Sequence, residues 1–134
     1  MERLAAYINS NHNALGLTFK LTDNITMTAP HTAIGGLYDN SYRSFRGTFD
    51  GSQNKISNLT INKPNENYQG LFGRLGESAV VKDLTVNGYD ITGKQYVGAI
   101  AGSVCASSSN RATIQNCHAN GTNVGSVASA DNHG

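Results

Sequence analysis

Apolar and polar residues alternate in short segments along the chain, and most of these segments open on Asn or Asp. Four of them align: Asn24-Ile25-Thr26-Met27, Asn58-Leu59-Thr60-Ile61, Asp83-Leu84-Thr85-Val86 and Asn116-Cys117-His118-Ala119. Alternation of this kind puts every second side chain on one face of a strand. A second motif precedes them: Gly47-Thr48-Phe49-Asp50-Gly51, then Gly70-Leu71-Phe72-Gly73, then Val97-Gly98-Ala99-Ile100-Ala101-Gly102. Val124-Gly125-Ser126-Val127-Ala128-Ser129 resembles the last of these, which predicts a fifth coil that starts near Val124 and is cut short. Two motifs recurring in the same order predict a repeat architecture rather than a β-sandwich whose strands happen to look alike.

The expected fold is all-β, a right-handed parallel β-helix of about four short coils. No single coil can bury its apolar face, so stacking must supply the core. The alignment predicts a column of Ile25, Leu59, Leu84 and Cys117, and another of Met27, Ile61, Val86 and Ala119. It also predicts a corner ladder of Asn24, Asn58, Asp83 and Asn116, passing side-chain hydrogen bonds along the coil axis. Gly51, Gly73 and Gly102 suit tight bends. At the N-terminus, Arg3-Leu4-Ala5-Ala6-Tyr7-Ile8 has helical spacing, and a helix near 2–9 would cap the first coil. Three regions follow: 1–14 as capping helix and linker, 15–129 as solenoid, 130–134 as a disordered tail. Residues 29–44 read as a long insertion, 63–67 as a short polar excursion and 105–111 as a mobile loop.

Composition agrees with many turns. Sixteen Asn and fifteen Gly among 134 residues disfavour long helices. Charged residues are 14% and the net charge is +1, which gives nucleic acid or an anionic membrane little to hold. No run of about 18 apolar residues is present, so no membrane-inserting segment is expected. Two cysteines and four scattered histidines provide no metal-site spacing, and no cofactor is expected.

Candidate chemistry is sparse. Asp50, Lys55, Lys82, Asp83 and Arg46 are the groups a β-helix polysaccharide lyase or hydrolase could use. Such work needs two carboxylates set around the scissile bond, and Asp50 and Asp83 fall at different registers, with Asp83 given to the corner ladder. No catalytic residue is therefore assigned. Tyr68, Tyr89 and Tyr96 are the binding candidates, since aromatic faces on a rigid ladder stack on sugars or anchor proteins. The alternative is that they cover coil edges. Tyr38 and Tyr42 in the insertion present the same choice. Cys117 is expected inward as a small buried thiol, which disfavours a Cys105–Cys117 disulfide, and His118 outward as a surface residue. The amide-rich corners lack the dense Asp cluster that Ca²⁺ prefers. Asn24, Asn58 and Asn120 each open a glycosylation sequon, as Asn/Thr-rich sequence often does.

Gly70-Leu71-Phe72-Gly73, with Val81-Lys82-Asp83-Leu84-Thr85-Val86, resembles the GLUG repeat of bacterial surface proteins. So does Val97 to Gly102, with Ile114 to Cys117 and Asn120-Gly121. The stretch Ala33-Ile34-Gly35-Gly36, with Phe45 to Gly51 and Ile56 to Leu59, is similar to the lead-in of such arrays and to the non-catalytic N-terminal region of IgA1-specific metallopeptidases. Ala99, Ser126 and Ser129 stand where the repeat has glycine, and the peptidases' zinc-binding helix has no counterpart. The resemblance implies an extracellular or cell-surface module of a longer bacterial protein, non-catalytic, binding a host or matrix protein or glycan or spacing other domains. The rival readings are a β-helix carbohydrate-active enzyme and a purely structural stalk. Self-association through an open C-terminal coil near Val124 is also expected.

Overall fold

The computed structural model describes residues 1–105 and 109–126. The expected tail 130–134, residues 106–108 of the expected mobile loop, and Val127–Ser129 of the expected fifth coil lie outside the described residues. The chain is mostly β with one short helix, wound as a β-solenoid of about three turns. The main sheet runs β1 (Thr18–Lys20), β5 (Thr48–Asn62), β7 (Val80–Gly93), β9 (Thr113–Ser126), all parallel, with β2 (Ile25–Thr26) also on β5. A second wall pairs β6 (Phe72–Leu75) with β8 (Ala101–Val104). Between β2 and β5 an antiparallel hairpin projects, formed by β3 (Gly36–Tyr38) and β4 (Ser41–Arg43).

The helix α1 (Glu2–Asn9) forms where its spacing predicts, with Leu4, Ala5 and Ile8 buried. Asn9 ties its end to the first coil: its amide nitrogen donates to the Ala33 carbonyl at 3.0 Å, and its side-chain oxygen accepts from the Gly35 N–H at 2.8 Å. That end of the solenoid is thereby covered, and apolar side chains there are kept from water.

The stacking register differs from the expected one. Ile25 lies on Ile56, Val86 and Ala119, while Leu59 lies on Tyr89 and Ile61 on Ile91 and Val124. Only Leu84 over Cys117 and Val86 over Ala119 survive from the expected columns. The reason is that each coil holds two consecutive strand segments of similar pattern, split by a corner. Matching Asn58 to Asp83 joined different segments. A bulge compounds the error: Asp50 pairs with Lys82 and Asn54 with Leu84, so β5 carries two more residues here than β7. In the true register Thr18, Thr48, Val80 and Thr113 stack, giving steps of 30, 32 and 33 residues.

The corner ladder is corrected with it. Asp83 (φ 53°) and Asn116 (φ 52°) share one corner, and the Asn116 amide donates to Asp83 Oδ1 at 2.7 Å. Asn58 sits at a different corner with φ 62°, stacked near Gly88 (φ 81°), and its amide donates to the Met27 carbonyl at 2.9 Å. Asn24 is exposed, and its side-chain oxygen accepts from the Lys55 N–H at 2.8 Å. Both Asn/Asp and Gly suit these left-handed corners, which is why the residue type alone did not reveal which corner is which.

Val124-Gly125 opens no new coil. It continues β9 and pairs with Ile91-Thr92. The expected long insertion is also shorter than its sequence suggests. Met27, His31 and Ile34 donate from their backbones to Ser57, Thr60 and Leu71 of the next coil, so only the hairpin departs from the coil path. Asp39 and Asn40 make its turn, both at positive φ, as a two-residue hairpin turn requires.

The core is a column of Phe45, Phe49, Phe72, Ile34, Leu59, Ile61, Leu71 and Leu84, all almost fully buried. Phe72 contacts Phe45 and Phe49 at ring-centroid distances of 5.0 and 5.4 Å. Towards β9 the column opens: Ile114 is 40% exposed, and Cys117 and Val124 are only partly covered.

Candidate functional site

Tyr68 and Tyr96 occupy equivalent corners of successive coils. Tyr68 N–H donates to the Gln95 carbonyl at 2.9 Å and Gln69 N–H to the Tyr96 carbonyl at 3.1 Å. Both tyrosines have left-handed backbones, with φ 59° and 58°. A bulky residue there costs about 1–2 kcal/mol against Gly, and strain of this kind concentrates at functional positions. The corners are held from within by close backbone approach. A Cβ on Gly73 would overlap the carbonyl oxygens of Tyr68 and Gly35, and one on Gly102 that of Tyr96.

The result is a stack. The Tyr68 and Tyr96 rings lie 4.8 Å apart and within 6° of parallel. Tyr42, brought in by the hairpin, meets Tyr68 edge-on at 5.8 Å. Arg74 of β6 sets its guanidinium 4.2 Å above the Tyr42 ring and 5.3 Å from that of Tyr68. Among the described residues Arg74 meets aromatic faces and no carboxylate, and its Nε is buried without a hydrogen-bond partner. Burial first, and then the neighbouring Tyr42, push the Tyr68 phenol above its ordinary pKa. The cluster can offer ring faces, phenol hydroxyls and one cation on a rigid frame.

Of the three expected binding tyrosines, the structure brings Tyr68 and Tyr96 together and leaves Tyr89 elsewhere. Tyr89 stands on Leu59 in the main sheet with its ring against Gly121, packed on the core. Tyr42 joins the cluster, but Tyr38 turns away and donates to the Ala33 carbonyl at 3.3 Å. The sequence did carry a signal for the pair: Tyr68-Gln69-Gly70 and Tyr96-Val97-Gly98 repeat one coil apart. Arg74 carried none, because only the hairpin's fold places Tyr42 beneath it.

The other candidates separate. Asp50 accepts from the Ser52 N–H at 2.8 Å, and Asp83 accepts from Asn116, so both carboxylates serve corners. Arg46 donates to the Glu77 carbonyl at 3.1 Å and pairs loosely with its carboxylate at 3.9 Å. Lys55 is exposed and Lys82 partly so. Cys105 and Cys117 are free thiols. Cys117 is only partly buried, donates to the Gln115 carbonyl at 3.3 Å, and has its pKa raised chiefly by burial. His118 is exposed, as expected.

His31 is a buried residue that sequence reasoning missed. It is 5% exposed, and its Nε2 lies 2.9 Å from the Leu71 carbonyl, which can only accept. Burial lowers its pKa, and the Leu71 hydrogen bond opposes this in part.

Comparison with known proteins gives two relatives. Over 124 residues, 88% of this chain, it is 31% identical to Halomucin of Haloquadratum walsbyi. Over 108 residues, 73% of the chain, it is 35% identical to a Gly-rich membrane protein of Evansella cellulosilytica. The chain spans only about 1% and 12% of the length of these two proteins. No family model matches the chain. No solved structure matches it.

Proposed function

We propose that this chain is a non-catalytic binding module of a secreted or cell-surface bacterial protein. The module presents a rigid β-solenoid face to a host or matrix protein or glycan. The observation that carries this reading is the pair of tyrosines held in strained left-handed corners and stacked with Tyr42 and Arg74. Coil stacking alone would be served better there by Gly or Asn, so the tyrosine side chains have work to do outside the core. The resemblance to GLUG arrays and the two relatives, one named Halomucin and one a Gly-rich membrane protein, support a surface setting. We take the winding to be right-handed, as parallel crossovers overwhelmingly are, in about four short coils.

The test is a screen of immobilised glycans and matrix proteins against the wild-type chain and a Tyr68→Ala/Tyr96→Ala variant. The reading predicts at least one ligand whose binding is lost in the variant. A polysaccharide cut by the wild-type chain would favour the enzyme reading. Ligand binding untouched by the double substitution would move the face elsewhere.

A further inference from the structure

Two of the chain's five arginines, Arg43 and Arg46, line one cleft with Tyr42, and a third, Arg74, stands over the Tyr42 ring. Tyr42, Arg43, Ser44 and Arg46 line a cleft together with Asn11, His12 and Asn13, just past α1. No Asp or Glu lines it. Glu77 meets Arg46 at 3.9 Å with both side chains partly exposed, a weak pair. Arg43 has a buried Nε without a hydrogen-bond partner, and its guanidinium makes no ion pair among the described residues. Tyr42 is 60% exposed although Arg74 covers part of its ring. His12 is fixed at the rim by a stack on Tyr7 at 4.2 Å.

This is an unusual concentration of cations for a chain of net charge +1. It also combines three features with one chemical meaning. An exposed ring stacks on the C–H face of a pyranose. Planar guanidinium forks match a carboxylate. Side-chain amides pair with hydroxyls. The cleft measures about 200 Å³, below the roughly 300–1,000 Å³ of pockets for whole drug-sized ligands, and so fits one unit of a polymer.

We propose that this cleft binds a uronate residue of an acidic polysaccharide, with the sugar ring on Tyr42, its carboxylate on Arg43 and Arg46, and its hydroxyls on Asn11 and Asn13. This rests on the binding-face reading above and names its ligand class. The Tyr68–Tyr96 stack next to it extends the surface along the polymer.

The experiment is an NMR titration of the isotope-labelled chain with oligogalacturonate, with a neutral oligogalactose and dextran sulfate as comparisons, at low and moderate salt. Wild type, Tyr42→Ala and Arg43→Lys are compared. Expected is oligogalacturonate binding that weakens with salt, at least about tenfold weaker binding of the neutral oligomer, and about tenfold loss in each variant. Unchanged signals from the core show that each variant is folded. Equal or tighter binding of the neutral oligomer overturns the ligand class and leaves the binding face standing. Oligogalacturonate binding unaffected by Tyr42→Ala overturns the cleft. Dextran sulfate binding as tight as oligogalacturonate, and equal in wild type and Arg43→Lys, overturns the proposal in favour of plain charge attraction. Binding of a protein but of no glycan overturns this proposal alone. Binding of nothing overturns both.

Discussion

Acidification should loosen the first coil through His31. The imidazole is 5% exposed and gives its Nε2 proton to the Leu71 carbonyl at 2.9 Å, while its backbone N–H donates to Thr60. It thus joins the first coil to the second as a neutral ring. Burial holds its folded pKa below 6.5, the Leu71 bond works against this, and the positive N-terminus and Lys63 lower it further. The unfolded chain binds a proton near pH 6.5 and the folded chain does not until lower pH. The stabilisation is therefore complete above about pH 6.5 and declines as pH falls from there towards the folded pKa. For one proton the slope cannot exceed about 1.4 kcal/mol per pH unit. The assay is urea unfolding from pH 8 to pH 5 for wild type and His31→Gln, which keeps a donor but does not titrate. The wild-type minus variant difference should be flat above pH 6.5 and fall below it. A difference that stays flat to pH 5, or an NMR titration placing His31 at or above 6.5, would refute the reasoning.

Further outcomes follow from the packing. Gly73→Ala forces a Cβ onto the Gly35 and Tyr68 carbonyls and should cost about 1–3 kcal/mol in denaturant unfolding, with the Tyr68 corner displaced. Leu59→Ala, at a fully buried site, should cost about 2–5 kcal/mol, whereas Asn116→Ala, which removes an exposed hydrogen bond, should cost less than about 1.5 kcal/mol; the opposite ranking would put the stability in the ladder. The outer edge of β9 has no strand partner among the described residues, and α1 covers the other end. Association at high concentration should therefore use β9 and be suppressed by Ile114→Lys. Sedimentation showing a strict monomer at millimolar concentration would count against it.

Local pattern was legible in the sequence, and register was not. Helix α1 could be found because Leu4, Ala5 and Ile8 lie on one helical face. The strands could be found because Leu59/Ile61 and Leu84/Val86 alternate. Their stacking could not be fixed from four-residue matches, since the same match occurs on both sides of a corner and the bulge at Gly51–Asn54 breaks the count. The residues 36–43 hid a hairpin whose Asp39-Asn40 turn was a usable signal. Tyr68 and Tyr96 were visible as a repeated Tyr-x-Gly, but their joining with Tyr42 and Arg74 depends on that hairpin. His31 looked like any isolated histidine, because its burial comes from a coil 40 residues further on.

The proposed ligand face of this solenoid is Tyr42, Tyr68 and Tyr96 with their arginines. Its most direct test is the map of NMR shift changes when a ligand found by screening is added. Expected are changes concentrated on Tyr42, Arg43, Arg74, Tyr68 and Tyr96. Changes centred instead on the Lys82–His118 side of the main sheet, with this face silent, would contradict it.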